Sequence, residues 1–406
     1  MQGRIAIVFA AAHRLLFLTG VLNFALLMIW WTATLFELYI WPIGMRGSSS
    51  IPSQFLHAAV MLYLMLPAFF FGFLLTVFPR WIGFPDLIRK QYAPIGSAFF
   101  IAAVIAWCAL IGGNSYWLVV ALCVAGLGWI AALWHFMALL IAEMRGDKGP
   151  TWHAWSAFAA LCFGLIGLGF SVQFLLTQDG RAYALANSIG TFGFLLPVFL
   201  TVAHRMLPFF AGNVVTGYVR WRPYWVLALL WVFLIVLMLS PVSGVQLEFV
   251  SALALCVLTG IMLWQWWPGS AAPGLLMVLI WGFAWAPIGF ALIAAGHFSE
   301  LVGFGFNPGK APVHALYIGM AGSLVIAMVT RVTQGHSGRP LTMNRTAWAA
   351  FWGIELSAIA RIIAGFRGEQ GHWIVLAGII WIILVTPWAL KQARIYLAKR
   401  ADGQPG

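Results

Sequence analysis

Two histidines, His57 and His314, are the strongest candidates for metal ligands in this sequence. Each lies near the start of a long hydrophobic run, close to 54–79 and 311–332. At about 1.5 Å of rise per residue, both imidazoles lie roughly 6 Å inside the same end of their helices. Neutral imidazole binds iron, copper and zinc, and two facing histidines can hold haem iron between them. We expect this pair to bind a haem, of b type; the alternative is that each imidazole only hydrogen-bonds a neighbouring helix.

Sulfur and phenol groups share the helix faces of these two histidines. Met61 and Met65 follow His57 at i+4 and i+8, and Tyr317 follows His314 at i+3. Residues at these spacings lie on one face of a helix. Thioethers suit Cu(I), which makes Met61 a further candidate metal ligand and copper a second candidate metal. Methionine also fills gaps in apolar packing, and Tyr317 either donates a hydrogen bond or packs.

A second group of candidates lies at the other ends of predicted helices. His204 and Arg205 end the run near 183–208. Arg331 lies at the end of the run near 311–332, and His336 and Arg339 follow it. Arginine grips carboxylates with two parallel hydrogen bonds, and haem propionates are carboxylates. These residues predict a second cofactor site with His204 and His336 as a reserve pair of ligands. The alternative is a set of topology-setting arginines beside a Gly/Pro turn.

Composition makes the chain an integral membrane protein. Of its 406 residues, 63% are hydrophobic and 8% charged, whereas soluble domains carry roughly 25% charged residues. A bilayer span needs about 20 apolar residues, and such runs follow one another almost end to end. We expect a single membrane domain over residues 1–406 with the lipid bilayer as its partner. The net charge of +12 comes from Lys and Arg in short loops, which is the pattern of topology signals and not of a nucleic-acid surface.

The hydrophobic runs predict an all-α bundle of about twelve transmembrane helices. They lie near 13–40, 54–79, 94–113, 115–143, 154–177, 183–208, 223–240, 247–267, 273–297, 311–332, 345–365 and 371–394. Lys and Arg concentrate on the side of both termini, which predicts cytoplasmic termini. His57 and His314 then face the outer leaflet, and His204 and His336 the cytoplasmic one. Glu355 falls near the middle of its run, where a carboxylate relays protons or bonds a neighbouring helix.

Four stretches of this sequence carry a family resemblance. The most specific is PVHALYIGMAGSLVIAMVTRVTQGHSGRPL, from Pro312 to Leu341, and the others are GFLLTVFPRWIG at 72–83, HRMLPFF at 204–210 and HRLLFL at 13–18. Together they resemble the NnrS family. The resemblance implies a twelve-helix protein of the bacterial inner membrane that contains haem and copper and acts in nitric oxide metabolism or tolerance. The candidate residues on its motif positions are His57, His204, His314, Arg331, His336 and Arg339.

One departure from the family pattern lies in the second predicted helix. The usual motif W-H-x-H-E-M reads Leu56-His57-Ala58-Ala59-Val60-Met61 in this chain. The first His and the Met remain, while the second His and the Glu are replaced by Ala59 and Val60. A metal site built on those two groups is therefore not expected in its usual form.

These observations lead to one hypothesis and two alternatives. The leading one is a haem-binding inner-membrane protein of nitric oxide metabolism or of the associated electron transfer, with no catalytic residue assigned. The second is a non-catalytic subunit or assembly factor of a respiratory, denitrifying complex, which the replaced His and Glu favour. A transporter is the third, and it predicts broken helices at matched positions of two halves. Pro197 and Pro287 do not occupy such positions.

Overall fold

The described part of the chain forms a bundle of twelve helices, as predicted. The computed structural model describes residues 7–42, 51–146, 150–240, 244–269 and 272–404, and this part of the chain contains no β-strand. The helices are α1 (Ala12–Tyr39), α2 (Ser53–Trp81), α3 (Arg89–Gly112), α4 (Ser115–Met144), α5 (Trp152–Thr177), α6 (Gly180–Val214), α7 (Tyr224–Met238), α8 (Val245–Gln265), α9 (Gly274–Val302), α10 (Ala311–His336), α11 (Arg345–Phe366) and α12 (Gly371–Tyr396). Eleven are long and apolar enough to cross a membrane, and α7 is a shorter apolar helix of 15 residues.

Local signals set the ends of several helices. The Asn114 side chain accepts hydrogen bonds from the first N–H groups of α4, and Asn344 does the same for α11. Such caps satisfy backbone donors that a helix leaves open. One predicted end was wrong: α6 continues past Pro208 to Val214. A proline inside a membrane helix is tolerated where neighbouring groups hydrogen-bond the backbone groups that it leaves unpaired.

Helix α2 lies at the centre of the bundle. Of its most apolar 18-residue window, 94% is buried, against 33% for α8 at the periphery. Helix α1 packs on α2 and α3 and also on α12, so the first and last helices are neighbours. Helix α6 contacts α2 on one side and α9 on the other, while α9 and α11 pack on α10. This arrangement places α2, α6 and α10 around the interior.

Each of these three interior helices contains a wider, π-helical segment. In α2 the segment Met61–Met65 ends just before Pro67, and in α6 the segment Ile189–Leu195 ends just before Pro197. Proline has no N–H and its ring clashes with the carbonyl four residues earlier. A wider turn removes that clash, so the two Leu-Pro pairs account for these segments.

The π-helical segments also bring polar side chains together across helices. Tyr63 of α2 donates to the Ala186 carbonyl oxygen of α6 over 2.5 Å. Tyr317 lies in the third segment, Ala315–Gly322 of α10, and bonds the Thr191 hydroxyl of α6. Since Thr191 donates its own proton to the Asn187 carbonyl oxygen, Tyr317 must be the donor. Helix α6 is therefore joined to α2 and to α10 at the same level.

Helices α1 and α2 interlock through glycines and rings. A Cβ atom added at Gly72 would collide with the Phe17 ring, and one added at Gly20 would lie 2.6 Å from the Phe69 ring. Each glycine therefore provides the space for an aromatic ring of the other helix. This contact fixes the position of α2 relative to α1.

We expect Gly72→Ala to lower the free energy of unfolding by about 1–3 kcal/mol, because an added methyl group overpacks a close contact. Gly169→Ala in α5 is the matched control, since a Cβ atom there meets no atom within 4 Å. Thermal unfolding of the purified variants in detergent measures the difference. An unchanged melting temperature for Gly72→Ala contradicts the interlock.

Candidate functional site

Helices α2 and α10 face each other across a cavity of about 80 Å³ that also touches α1, α11 and α12. Its walls include His57, Met61, Met65, His314 and Tyr317. These are the residues that spacing had placed at one depth on two separate helices. The cavity therefore brings two imidazoles, two thioethers and a phenol together.

The His57 imidazole is held by an aromatic ring of α1. The Trp31 ring stacks on it with a centroid distance of 4.0 Å and an interplanar angle of 15°. The Nδ1 atom of His57 is buried and has no hydrogen-bond partner in the described part of the chain. A buried imidazole nitrogen without a partner lowers stability, so this group is suited to a ligand.

The Lys310 carbonyl oxygen favours one tautomer of the His314 imidazole. Its Nδ1 atom lies 2.8 Å from the Lys310 carbonyl oxygen and 3.4 Å from Nη2 of Arg361. A carbonyl oxygen can only accept and a guanidinium can only donate, so the two contacts place opposite demands on Nδ1, and the shorter one favours the proton on Nδ1. The lone pair then resides on Nε2. Metal-binding histidines usually carry this kind of support, in which a carbonyl fixes the other ring nitrogen.

An ion pair between buried Arg361 and partly exposed Glu369 positions the start of α10 and with it His314. Arg361, only 7% exposed, donates from Nη2 to Oε2 of Glu369 over 3.1 Å. The other oxygen, Oε1, accepts the backbone N–H of Lys310 over 2.9 Å. The Glu369 carboxylate thus joins the end of α11 to the first turn of α10. Sequence reasoning missed this role, although an arginine within a hydrophobic run was a visible signal.

The cavity gathers nitrogen and sulfur groups that can bind a metal, although the described part of the chain contains no group of three or more His, Cys, Asp or Glu residues that could hold an ion. Pockets for small organic molecules measure roughly 300–1,000 Å³, whereas this one measures about 80 Å³. The volume suits a metal ion with a diatomic ligand. A larger cavity of about 540 Å³ lies beside it and shares Trp31, Leu35, Arg361 and Ile374 with it. These four side chains border both spaces.

His204 lies in another cluster, where it pairs with His153 of α5. Its Nε2 atom lies 3.2 Å from the Pro223 carbonyl oxygen, and its Nδ1 atom lies 2.9 Å from Nε2 of His153. In the neutral ring, Nε2 donates to the carbonyl and Nδ1 accepts from His153. Both nitrogens of His204 are thus engaged, and the free lone pair belongs to the buried Nδ1 of His153.

His336 has a different neighbour, His13 of α1, at a ring-centroid distance of 4.5 Å. The structure therefore gives the two members of the predicted reserve pair separate histidine partners. The sequence did not predict either pairing, because the position of a histidine along its helix gives its depth but not which helix packs beside it.

The three arginines assigned to propionates make other contacts. The Arg205 guanidinium lies over the Trp81 ring at 4.9 Å, and that of Arg331 lies over the Phe210 ring at 4.0 Å. Arg339 points to the Ser337 carbonyl oxygen at 3.4 Å. Their role as carboxylate ligands stays a prediction.

Glu355 connects three helices. Its carboxylate oxygens accept from Nε1 of Trp285 in α9 over 2.8 Å and from Oγ of Ser323 in α10 over 2.7 Å. Of the two roles predicted for this carboxylate, the bond to neighbouring helices is the one visible in the contacts.

The departure in the second helix lies away from the His57–His314 cavity. Ala59 lines a separate, much smaller cavity of about 10 Å³ beside Tyr183 and Asn187, and Val60 is fully buried. The replaced His therefore affects a different side of α2 from the one that carries His57.

Substitution distinguishes the His153–His204 pair from the His57–His314 cavity as the metal site. We expect His153→Phe to lower the melting temperature, because it leaves a buried acceptor nitrogen on His204 without a partner, at a cost of about 1–3 kcal/mol. Metal content, measured by mass spectrometry on purified protein, should stay unchanged. His135→Phe on α4, where the imidazole is only partly buried, is the control. Loss of metal in His153→Phe would move the ligand assignment to this cluster.

Comparison with known proteins agrees with the motifs. The family model described as NnrS protein matches residues 7–400, and curated proteins give no match. The matched range contains all twelve helices and all the candidate ligands. The chain is a multi-pass membrane protein that belongs to the NnrS family.

Proposed function

We propose that this chain binds a redox-active metal between His57 and His314 and acts on nitric oxide in the bacterial inner membrane. Family membership supports a role in nitric oxide metabolism. The observation that carries the metal assignment is the shared cavity of two imidazoles from separate helices, one of them with its Nε2 lone pair fixed by the Lys310 carbonyl. In the orientation predicted from the positive charges, with both termini cytoplasmic, this site would lie in the outer leaflet.

The protein's own residues supply binding, orientation and exclusion of water. His57 and His314 provide nitrogen ligands, and Met61 and Met65 add thioethers that favour copper in its reduced form. Trp31 stacks on His57 and borders both this cavity and the larger one beside it. When bound, the metal supplies an open coordination position for a diatomic molecule.

The same geometry ranks the possible metals. A copper or iron ion with one small ligand suits a space of about 80 Å³. A haem requires α2 and α10 to move apart or Trp31 to leave its stack on His57. The haem expected from the sequence stays a prediction, and the size of the cavity favours an ion.

The metal assignment predicts a specific loss on substitution. We expect purified protein to retain close to one metal ion per chain, and His57→Ala and His314→Ala to reduce that content at least tenfold, because each removes one of two nitrogen ligands. His372→Ala, which removes an exposed histidine near the same end of the bundle, is the matched control. Elemental analysis and a pyridine haemochrome assay on the same samples distinguish ion from haem. Unchanged metal in both cavity variants contradicts the assignment.

A separate measurement tests whether the bound metal reacts with nitric oxide. Anaerobic addition of nitric oxide to the reduced, metal-loaded protein should change the absorption or electron paramagnetic resonance spectrum of the metal. The change should be absent in His314→Ala. A fully loaded protein whose spectrum does not respond to nitric oxide would refute this role while leaving the metal site intact.

A further inference from the structure

A second cavity lies deeper in the bundle, on the same faces of α2 and α10. Its volume is about 60 Å³, and its walls come from α1, α2, α6, α9 and α10. Every side chain that lines it is apolar. Aromatic rings from three helices dominate the walls, among them Phe17, Phe70 and Phe199.

This cavity lies directly below the His57–His314 cavity. On α2, Met65 lines the upper space and Phe69 the lower one, four residues further on. On α10, Ile318 and Val325 have the same relation at seven residues. The spacing of four where the α-helical part of α2 begins keeps Met65 and Phe69 on one face, about 6 Å apart along the axis. On α10 the lining moves in the same direction, from the π-helical segment into the α-helix that follows it. The two spaces therefore follow one another between the same pair of helices.

The apolar walls of this cavity limit the kind of molecule that it can bind. A buried water needs two to four polar partners, which this lining does not provide, and apolar cavities of this kind stay dry and take up xenon. The volume exceeds the roughly 10–15 Å³ that one water-sized probe needs and is smaller than the apolar cavity of about 150 Å³ that binds benzene or xenon. A small, uncharged, apolar molecule is the class that fits.

Rigid packing keeps the space open. Phe70 meets Phe194 and Phe199 of α6 edge to face, at centroid distances of 5.4 and 5.0 Å. On the other side, Phe69 packs edge-on against Phe24 at 5.6 Å and fills the space beside Gly20. Rings held on two sides cannot turn into the gap without losing these contacts. The cavity is therefore a fixed feature of the packing.

We infer that this apolar cavity holds an uncharged diatomic gas and supplies it to the metal cavity above. Such gases dissolve in the hydrocarbon of the bilayer, so a dry space inside the bundle can collect them without crossing the polar loops. The assignment of the gas as nitric oxide rests on the proposed function, whereas the gas-binding property of the cavity does not.

Xenon and a cavity-filling variant test the inference. Ala203→Leu adds three carbon atoms at a buried position of the wall, and Ala291→Leu adds the same atoms at an exposed position of α9. Crystals of the unmodified, full-length protein under xenon pressure should show a xenon peak in the apolar cavity. The peak should persist in Ala291→Leu and disappear in Ala203→Leu. If Ala203→Leu fails to fold, Val325→Ile fills part of the same space and replaces it.

The second readout is the rate at which nitric oxide reaches the metal. Stopped-flow mixing should show association at least threefold slower in Ala203→Leu than in Ala291→Leu, at equal metal content. Absence of xenon from the unmodified protein, or an unchanged association rate in the filled variant, overturns the inference. A protein that takes up xenon but retains no metal instead overturns the proposed function and leaves the gas-binding cavity standing.

Discussion

The need to satisfy polar groups inside a bundle surrounded by hydrocarbon governs this structure. No water is present at that depth, so each N–H and hydroxyl group must find its acceptor within the protein. Buried indoles show the solution: Trp129 donates to the Leu161 carbonyl oxygen over 3.0 Å, and Trp381 donates to that of Phe24 over 3.0 Å. Trp388 donates to the Thr330 hydroxyl over 2.9 Å.

Against this background, the unpartnered groups stand out. The Nδ1 atoms of His57, His13 and His153 and Nη1 of Arg361 are buried without a hydrogen-bond partner in the described part of the chain. Of the nine residues with such an atom in the described part of the chain, His57 and Arg361 line the same small cavity. The other seven lie outside it, so what distinguishes this cavity is that two such residues border one space that a ligand can occupy.

Backbone chemistry explains why that place exists. The Leu-Pro pairs in α2 and α6 require wider turns, and these turns lie at the level where Tyr63 and Tyr317 reach α6. Pro67 thus shapes the helix that carries His57, and Pro197 shapes the helix that Tyr63 and Tyr317 contact. Glu369 connects α11 to the first turn of α10 and so sets the position of His314. The site depends on contacts well outside its own walls.

Much of the fold was predictable because hydrophobic length and turn residues determine membrane helices almost directly. The depth of His57 and His314 was also predictable, since the rise per residue is constant. The pairings of His153 with His204 and of His13 with His336 were not, because helix rotation and packing order decide them. The volume of the cavity depends on Trp31 and Arg361, whose neighbours lie far along the chain.

X-ray absorption spectroscopy at the edge of the bound metal tests the central claim most directly. Imidazole ligands give a characteristic multiple-scattering pattern, with metal–nitrogen distances of about 2.0 Å. The account predicts two imidazoles in the unmodified protein and one in any metal retained by His314→Ala. A bound metal without imidazole scattering, or a pattern that His314→Ala leaves unchanged, would contradict it.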